Sequence, residues 1–170
     1  MLQWIAQTRP LLFHGSRRGV LDDLKPIRLS RDTTQFGNLQ ALFATSDPVW
    51  AIYFATLERG NGLRSTRNGS LGLPGQPYPR WYFFSHNRAA AAEHRFGEGW
   101  VYVVPRAAFR AEGPWLGLFD SAHWGSPEPV APVARVRVTP ADFPFAGSIG
   151  AHRDSESMLR TFLRAAAGRR

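Results

Sequence analysis

The residues with the clearest chemical potential are His14, Gly15 and Ser16, which close the short apolar run Leu11-Leu12-Phe13. An imidazole can hydrogen-bond a ribose hydroxyl, a glycine lets a ligand approach the backbone amide and carbonyl, and a serine can hold a second hydroxyl. By itself the tripeptide also reads as a plain turn. Arg17, Arg18, Arg28 and Arg31 follow closely and could contact a pyrophosphate or an anionic acceptor, or simply stand solvated in a loop. Farther along, Arg64, Arg67 and Arg80 could track a nucleic-acid backbone.

Other chemistries find little support. His86, His94, His123 and His152 have no metal-ligand spacing and no accompanying carboxylate cluster, so no metal is expected. A phosphate-cradling glycine loop and a Gly-x-Ser-x-Gly elbow are both missing, which argues against an NTPase and an α/β-hydrolase. The chain has no cysteine, so disulfides, thiolate metal sites and cysteine nucleophiles are excluded.

Residues 11–13 suit a buried strand that delivers His14 to its exit. Residues 22–38 have the composition of turns and loops, and Ala41-Leu42-Phe43-Ala44 reads as a second buried strand. Ser46-Asp47-Pro48 supplies a capping oxygen followed by proline, which predicts a helix over 48–59. Residues 60–80 turn to Gly, Asn, Ser, Arg and Pro and read as a mobile loop. A strand over 80–84, a short helix over 89–94 and a strand over 99–105 follow, the last being the clearest in the chain. One or two strands, interrupted by Pro129 and Pro132, are expected within 127–138. A C-terminal helix over 152–166, capped by Asp154 or Ser155, presents Met158, Leu159, Phe162 and Leu163 on one face. Strands outnumber helices without regular alternation, so the expected class is α+β.

At 170 residues, with 44% hydrophobic residues, the chain is sized for a single domain spanning 1–170. A membrane span or a signal peptide is not expected, and the chain reads as soluble and cytoplasmic. The formal charge is +8, carried almost wholly by arginine, since Lys25 is the lone lysine among 21 basic residues. Such a field attracts polyanions, although arginine usage also follows from a GC-rich genome.

Taken in order, Leu12-Phe13-His14-Gly15-Ser16, Leu42-Phe43-Ala44-Thr45-Ser46-Asp47 with Trp50-Ala51-Ile52-Tyr53, Trp100-Val101-Tyr102-Val103-Val104 and Ser126-Pro127-Glu128-Pro129-Val130 cover most of residues 11–140. In that order and spacing the chain resembles the ADP-ribosyltransferase superfamily, in the branch of poly(ADP-ribose) polymerases, diphtheria toxin and the small rifamycin-modifying transferases. The resemblance implies split antiparallel β-sheets with a few helices around an NAD⁺-binding cleft. It implies that His14 binds the adenosine ribose and that the Gly15 backbone bonds the nicotinamide carboxamide; Ser16, by its hydroxyl, would hold ribose beside His14. Phe43 and Tyr53 would sandwich the nicotinamide ring, a planar cation that aromatic faces hold well. Phenylalanine stands at Phe43 where the family usually has tyrosine.

The third family element is a carboxylate at the entry to a later strand, which bonds the 2′-hydroxyl of the nicotinamide ribose. Glu128 is the candidate, with Asp120 and Glu112 as fallbacks; Pro127 and Pro129 beside Glu128 depart from the family pattern. A fixed carboxylate there stabilises the positive charge that builds on the ribose carbon as the glycosidic bond breaks. The expected function is transfer of ADP-ribose from NAD⁺ to an acceptor, DNA or RNA ahead of protein or a small molecule. NAD⁺ glycohydrolysis, RNA 2′-phosphotransfer and a catalytically silent module that binds ADP-ribose or nucleic acid are the alternatives.

Overall fold

The structure is a computed structural model that describes residues 1–19, 21–26, 28–29, 40–60, 62–76, 79–91, 96–114 and 117–167. It is a mixed α+β fold of two mainly antiparallel sheets. The elements are α1 (Leu2–Thr8), β1 (Leu11–Ser16), β2 (Arg28–Leu29), β3 (Gln40–Thr45), α2 (Pro48–Thr56), β4 (Thr66–Leu71), β5 (Trp81–Asn87), α3 (Arg88–Ala91), β6 (Gly99–Pro105), β7 (Arg110–Ala111), β8 (His123–Ser126), β9 (Ala134–Val138), β10 (Gly150–His152) and α4 (Met158–Ala167). The larger sheet runs β7-β8-β3-β1-β6-β9, with β2 paired to β3, and the smaller runs β10-β5-β4. Only the β10–β5 pair is parallel among the described strands.

β1 and β6 pair along their whole length, from Leu11 opposite Pro105 to Ser16 opposite Trp100. Because successive side chains alternate between faces, Phe13, Val101 and Val103 point one way and Leu12, Tyr102 and Val104 the other. The first set meets α2. The second meets Leu24, Phe109 and Val130, which close the far face of the sheet.

α2 starts where the capping signal places it, with the Asp47 carboxylate accepting from Val49 N at 3.1 Å and Pro48 in the first turn. It is apolar on all sides, as befits a helix enclosed between two sheets. It ends at Thr56, ahead of the expected 59, because Leu57 turns out to bridge Phe96. No side chain separates α2 from β1 and β6 at two points. A β-carbon on Gly15 would lie 2.0 Å from the Ala51 carbonyl oxygen, and one on Gly99 would lie 1.8 Å from that of Ala55.

The smaller sheet covers the other side of α2. Phe84 of β5 packs on Tyr53 at 4.7 Å between ring centroids, while the next side chain back, Phe83, packs on Phe162 of α4. Within residues 60–80, read from the sequence as a loop, the structure has the strand β4, paired with β5 at six positions. Its polar residues can lie in a sheet because their side chains are satisfied: Asn68 bonds Trp50 and Thr66, and Arg67 bonds Thr161. Gly69 leaves room for the Phe83 ring, 2.5 Å from where a β-carbon would stand.

The sheets are also tied by Arg80, whose side chain is 3% exposed. Its guanidinium donates to the hydroxyl and carbonyl of Ser70 and to the carboxylate and carbonyl of Asp120.

The C-terminal helix begins later than expected. Residues 150–152 form β10, the Asp154 carboxylate accepts from Ser65, and Ser157 accepts from Arg160 N at the helix start. Of the helix expected over 89–94, only its first turn falls in α3, and 92–95, with His94, lies outside the described residues. Most of the expected loop 22–38, with Arg31, does so too. Within 127–138 there is one strand, β9, preceded by a single bridge from Val130 to Leu24. No helix among the described residues is long and apolar enough to cross a membrane.

Candidate functional site

β1 and β3 touch as strands only at Phe13 opposite Thr45; beyond that pair they part, and β3 follows β8 instead. His14 sits at the parting. Its Nδ1 donates to the carbonyl oxygen of Phe43 at 2.7 Å, so the proton lies on Nδ1 and the ring is held in one orientation. Ser16, two residues on, lies on the same face of β1 and takes Arg18 N on its Oγ at 3.1 Å. Gly15 lies between them with its side-chain position filled by the α2 backbone. The glycine is therefore required by packing.

The Phe43 ring lies on the α2 face of the sheet. It stacks obliquely on His123, with centroids 4.9 Å apart, and Trp50 meets the same imidazole edge-on at 5.6 Å. Trp50 is itself fixed by its indole N–H, which donates to Asn68 at 2.7 Å.

His123 opens β8. Ala122, just before it, is fully buried with φ of 55°, a left-handed conformation uncommon for a residue with a β-carbon. The turn is held by Asp120, whose carboxylate accepts from Ala122 N, and by the Ala122 carbonyl, which accepts from Ser46 N. His123 Nδ1 then donates to Glu112 at 3.2 Å, and the Ser121 hydroxyl donates to the same carboxylate oxygen at 3.0 Å. The Glu112 and His123 side chains are 16% and 19% exposed, so the pair is shielded without being sealed.

Tyr53 is elsewhere. Its ring is wholly buried against Phe84, Phe96 and Phe143, and its hydroxyl lies 3.1 Å from His86 Nε2. Trp50, one turn earlier on α2, is the helix aromatic that reaches the Phe43 cluster. Glu128 lies on an exposed turn two residues past β8, held by its backbone to Ser126 Oγ. That turn is at the same end of the sheet as Ser16, because β1 and β8 both run antiparallel to β3. Asp120 is committed to Arg80. Arg17 pairs with Glu58 at 3.2 Å, leaving Arg18 as the exposed cation beside Ser16.

Sequence reasoning thus missed His123 and Trp50. The His123–Glu112 contact depends on the β7–β8 pairing, in which Ala111 lies opposite Trp124, and no local pattern announces it. Among the described residues no group of three His, Asp or Glu side chains is placed to hold a metal ion. No protein-family model, curated protein or solved structure matches the chain.

On the face of the sheet away from α2, a fixed imidazole and a hydroxyl of β1 can take ribose hydroxyls; on the α2 face, an aromatic ring can take a planar cation and a shielded carboxylate can face developing positive charge.

Proposed function

We propose that this protein breaks the nicotinamide–ribose bond of NAD⁺ and transfers the ADP-ribose to an acceptor, nucleic acid before protein or small molecule. The observation that supports this best is a continuous chain of contacts. His14 is bonded to the Phe43 carbonyl, the Phe43 ring packs on His123, and His123 is bonded to Glu112. It links the histidine and first aromatic of the resemblance to a shielded carboxylate just past the end of β7, beside the first residue of β8.

In this reading His14 and Ser16 hold ribose on the face of the sheet away from α2, Phe43 offers its ring to nicotinamide across the parting of β1 and β3, and Glu112 takes the role first given to Glu128. Glu112 suits the part better than Glu128 because it is fixed by two donors in a partly desolvated place, where charge acts more strongly than in open solvent. As the C–N bond breaks, its electron pair leaves with nicotinamide, which becomes neutral. The carboxylate stabilises the charge left on the ribose carbon until an acceptor hydroxyl or amine bonds to it and releases its proton. Trp50 replaces Tyr53 as the second aromatic of the cluster.

The test is incubation with NAD⁺ labelled on the adenine, following nicotinamide release and the fate of the label with DNA, RNA, protein or no acceptor. Label on nucleic acid is the expected result. Label found only as free ADP-ribose would make the enzyme a glycohydrolase, and absence of nicotinamide with every acceptor would end the proposal.

A further inference from the structure

Three segments of the smaller sheet bring Arg64, Arg88 and Arg153 around one open depression of about 260 Å³, which is also lined by Asn87, His152 and Asp154. The sequence suggested Arg64, Arg67 and Arg80 as contacts for a nucleic-acid backbone. The structure separates these three. Arg80 is buried on Asp120, and Arg67 is spent on the Thr161 hydroxyl and the carbonyls of Arg153 and Asp154. Arg64 is left at the surface, joined by Arg88 and Arg153 from elsewhere in the chain.

The loops that carry these cations are pinned by side chains. Asn87, 3% exposed, accepts from the backbone amides of Arg64 and Ser65 through its Oδ1 and donates to the Gly62 carbonyl through its Nδ2. Arg88 follows it directly. On the other side, the Arg67 guanidinium holds the backbone of Arg153 and Asp154 at 3.3 and 3.1 Å. His152, fully buried at the floor, is fixed between Ser65 and Ser85, each 2.9 Å from one of its nitrogens. Burial, with the Arg67 charge adding to it, lowers the pKa of that imidazole.

Of the other surface arginines, Arg17 pairs with Glu58, Arg137 with Glu98 and Arg164 with Glu156, while Arg9, Arg106 and Arg135 lie over tryptophan rings. At the depression, among the described residues, three arginines line one opening without an ion-pair partner. The single carboxylate on the rim, Asp154, is turned to the Ser65 hydroxyl. Like charges held together on braced loops repel one another, and a bound anion relieves that cost.

We infer that this depression is a phosphate-binding site for the backbone of a nucleic-acid strand, with Arg64, Arg88 and Arg153 as its cationic contacts. Its open form suits a phosphodiester that continues past the site on both sides. The inference deepens the acceptor named above, and it is tested without NAD⁺, so it stands or falls separately from the transfer reaction.

The experiment is fluorescence anisotropy with labelled single-stranded RNA and DNA oligonucleotides of about 12 nucleotides over a range of salt concentrations, a length within the usual single-strand site sizes. Wild type is compared with Arg64→Gln/Arg88→Gln/Arg153→Gln and with Arg9→Gln/Arg110→Gln/Arg137→Gln, which removes the same charge from other parts of the surface. The first triple is expected to weaken binding at least about tenfold and to flatten the log–log salt dependence by about 2, since each phosphate contact on a single strand contributes about 0.7. The second triple is expected to leave the slope near wild type. Equal losses for both triples would reduce the binding to net charge and overturn the site, as would an unchanged first triple or equally tight binding of poly-glutamate. If the first triple does not melt like wild type, Arg153→Gln alone carries the test, with an expected slope change of about 0.7.

Discussion

The parting of β1 and β3 and the arginine-lined depression are built in opposite ways. At the parting, position is set by the main chain: His14 is held by a backbone carbonyl, and Gly15 is seated on the backbone of α2. At the depression it is set by side chains, with Asn87 and Arg67 bracing loops from distant parts of the sequence. The first offers few charges and a fixed imidazole, which suits the hydroxyls and ring of a small cofactor. The second concentrates charge with little directionality, which suits the backbone of a polymer read without regard to its bases.

The largest effect is expected where the contrast is sharpest. Gly15→Ala sets a methyl group against the Ala51 carbonyl, forces α2 off the sheet and costs about 3 kcal/mol in urea unfolding. A variant as stable as wild type would show that main-chain seating does not fix the His14 end. Next comes Glu112→Gln, expected to slow nicotinamide release about 100-fold with little change in KM, while Glu128→Gln stays near wild type. Steady-state kinetics of the two variants decide between the carboxylates, and the opposite result would return the role to the exposed turn.

A smaller effect separates the two kinds of arginine. Arg80→Gln breaks an ion pair with one end buried and is expected to cost about 2 kcal/mol, since the half-exposed Asp120 keeps its hydration. Arg64→Gln should stay within about 0.5 kcal/mol, as usual for an unpaired surface side chain. Thermal melts of both would break the distinction if the losses were alike.

The smallest effect concerns Asp47 at the start of α2. Burial raises its carboxyl pKa, only partly offset by Ser70, Arg80, Val49 and Tyr82. A carboxyl with a folded pKa above its unfolded value adds stability at low pH and loses that contribution as pH rises through the folded value. Wild type should therefore lose stability relative to Asp47→Asn as pH is raised from about 4 towards neutrality. Paired melts at several pH values check this, and parallel curves would mean that the carboxylate is better solvated than its burial implies.

How far these regions could be read beforehand follows the same divide. β1, β3, β6 and the start of α2 were legible because apolar runs and a capping residue are local signals. β4 was not, since a strand of Thr, Arg, Asn, Gly and Ser owes its existence to β5 and to partners on other elements. The choice between Tyr53 and Trp50 was also hidden. On an amphipathic helix the apolar stripe tells which aromatic faces inward, but α2 is apolar all round and its periodicity names no face. His123, Glu112 and the arginine trio are joined by tertiary contacts alone, and spacing along the chain carries no trace of them.

The two sheets also differ in when they can exist during synthesis. Every strand of the larger sheet lies at or before Val138, whereas the smaller sheet lacks β10 until residues 150–152 have been made, and α4 comes later still. Because β10 joins β5 in parallel, the pairing needs a chain crossover and cannot form as a local hairpin. A growing polypeptide can thus complete the β1–β3 parting while the floor of the depression, His152, is still untranslated.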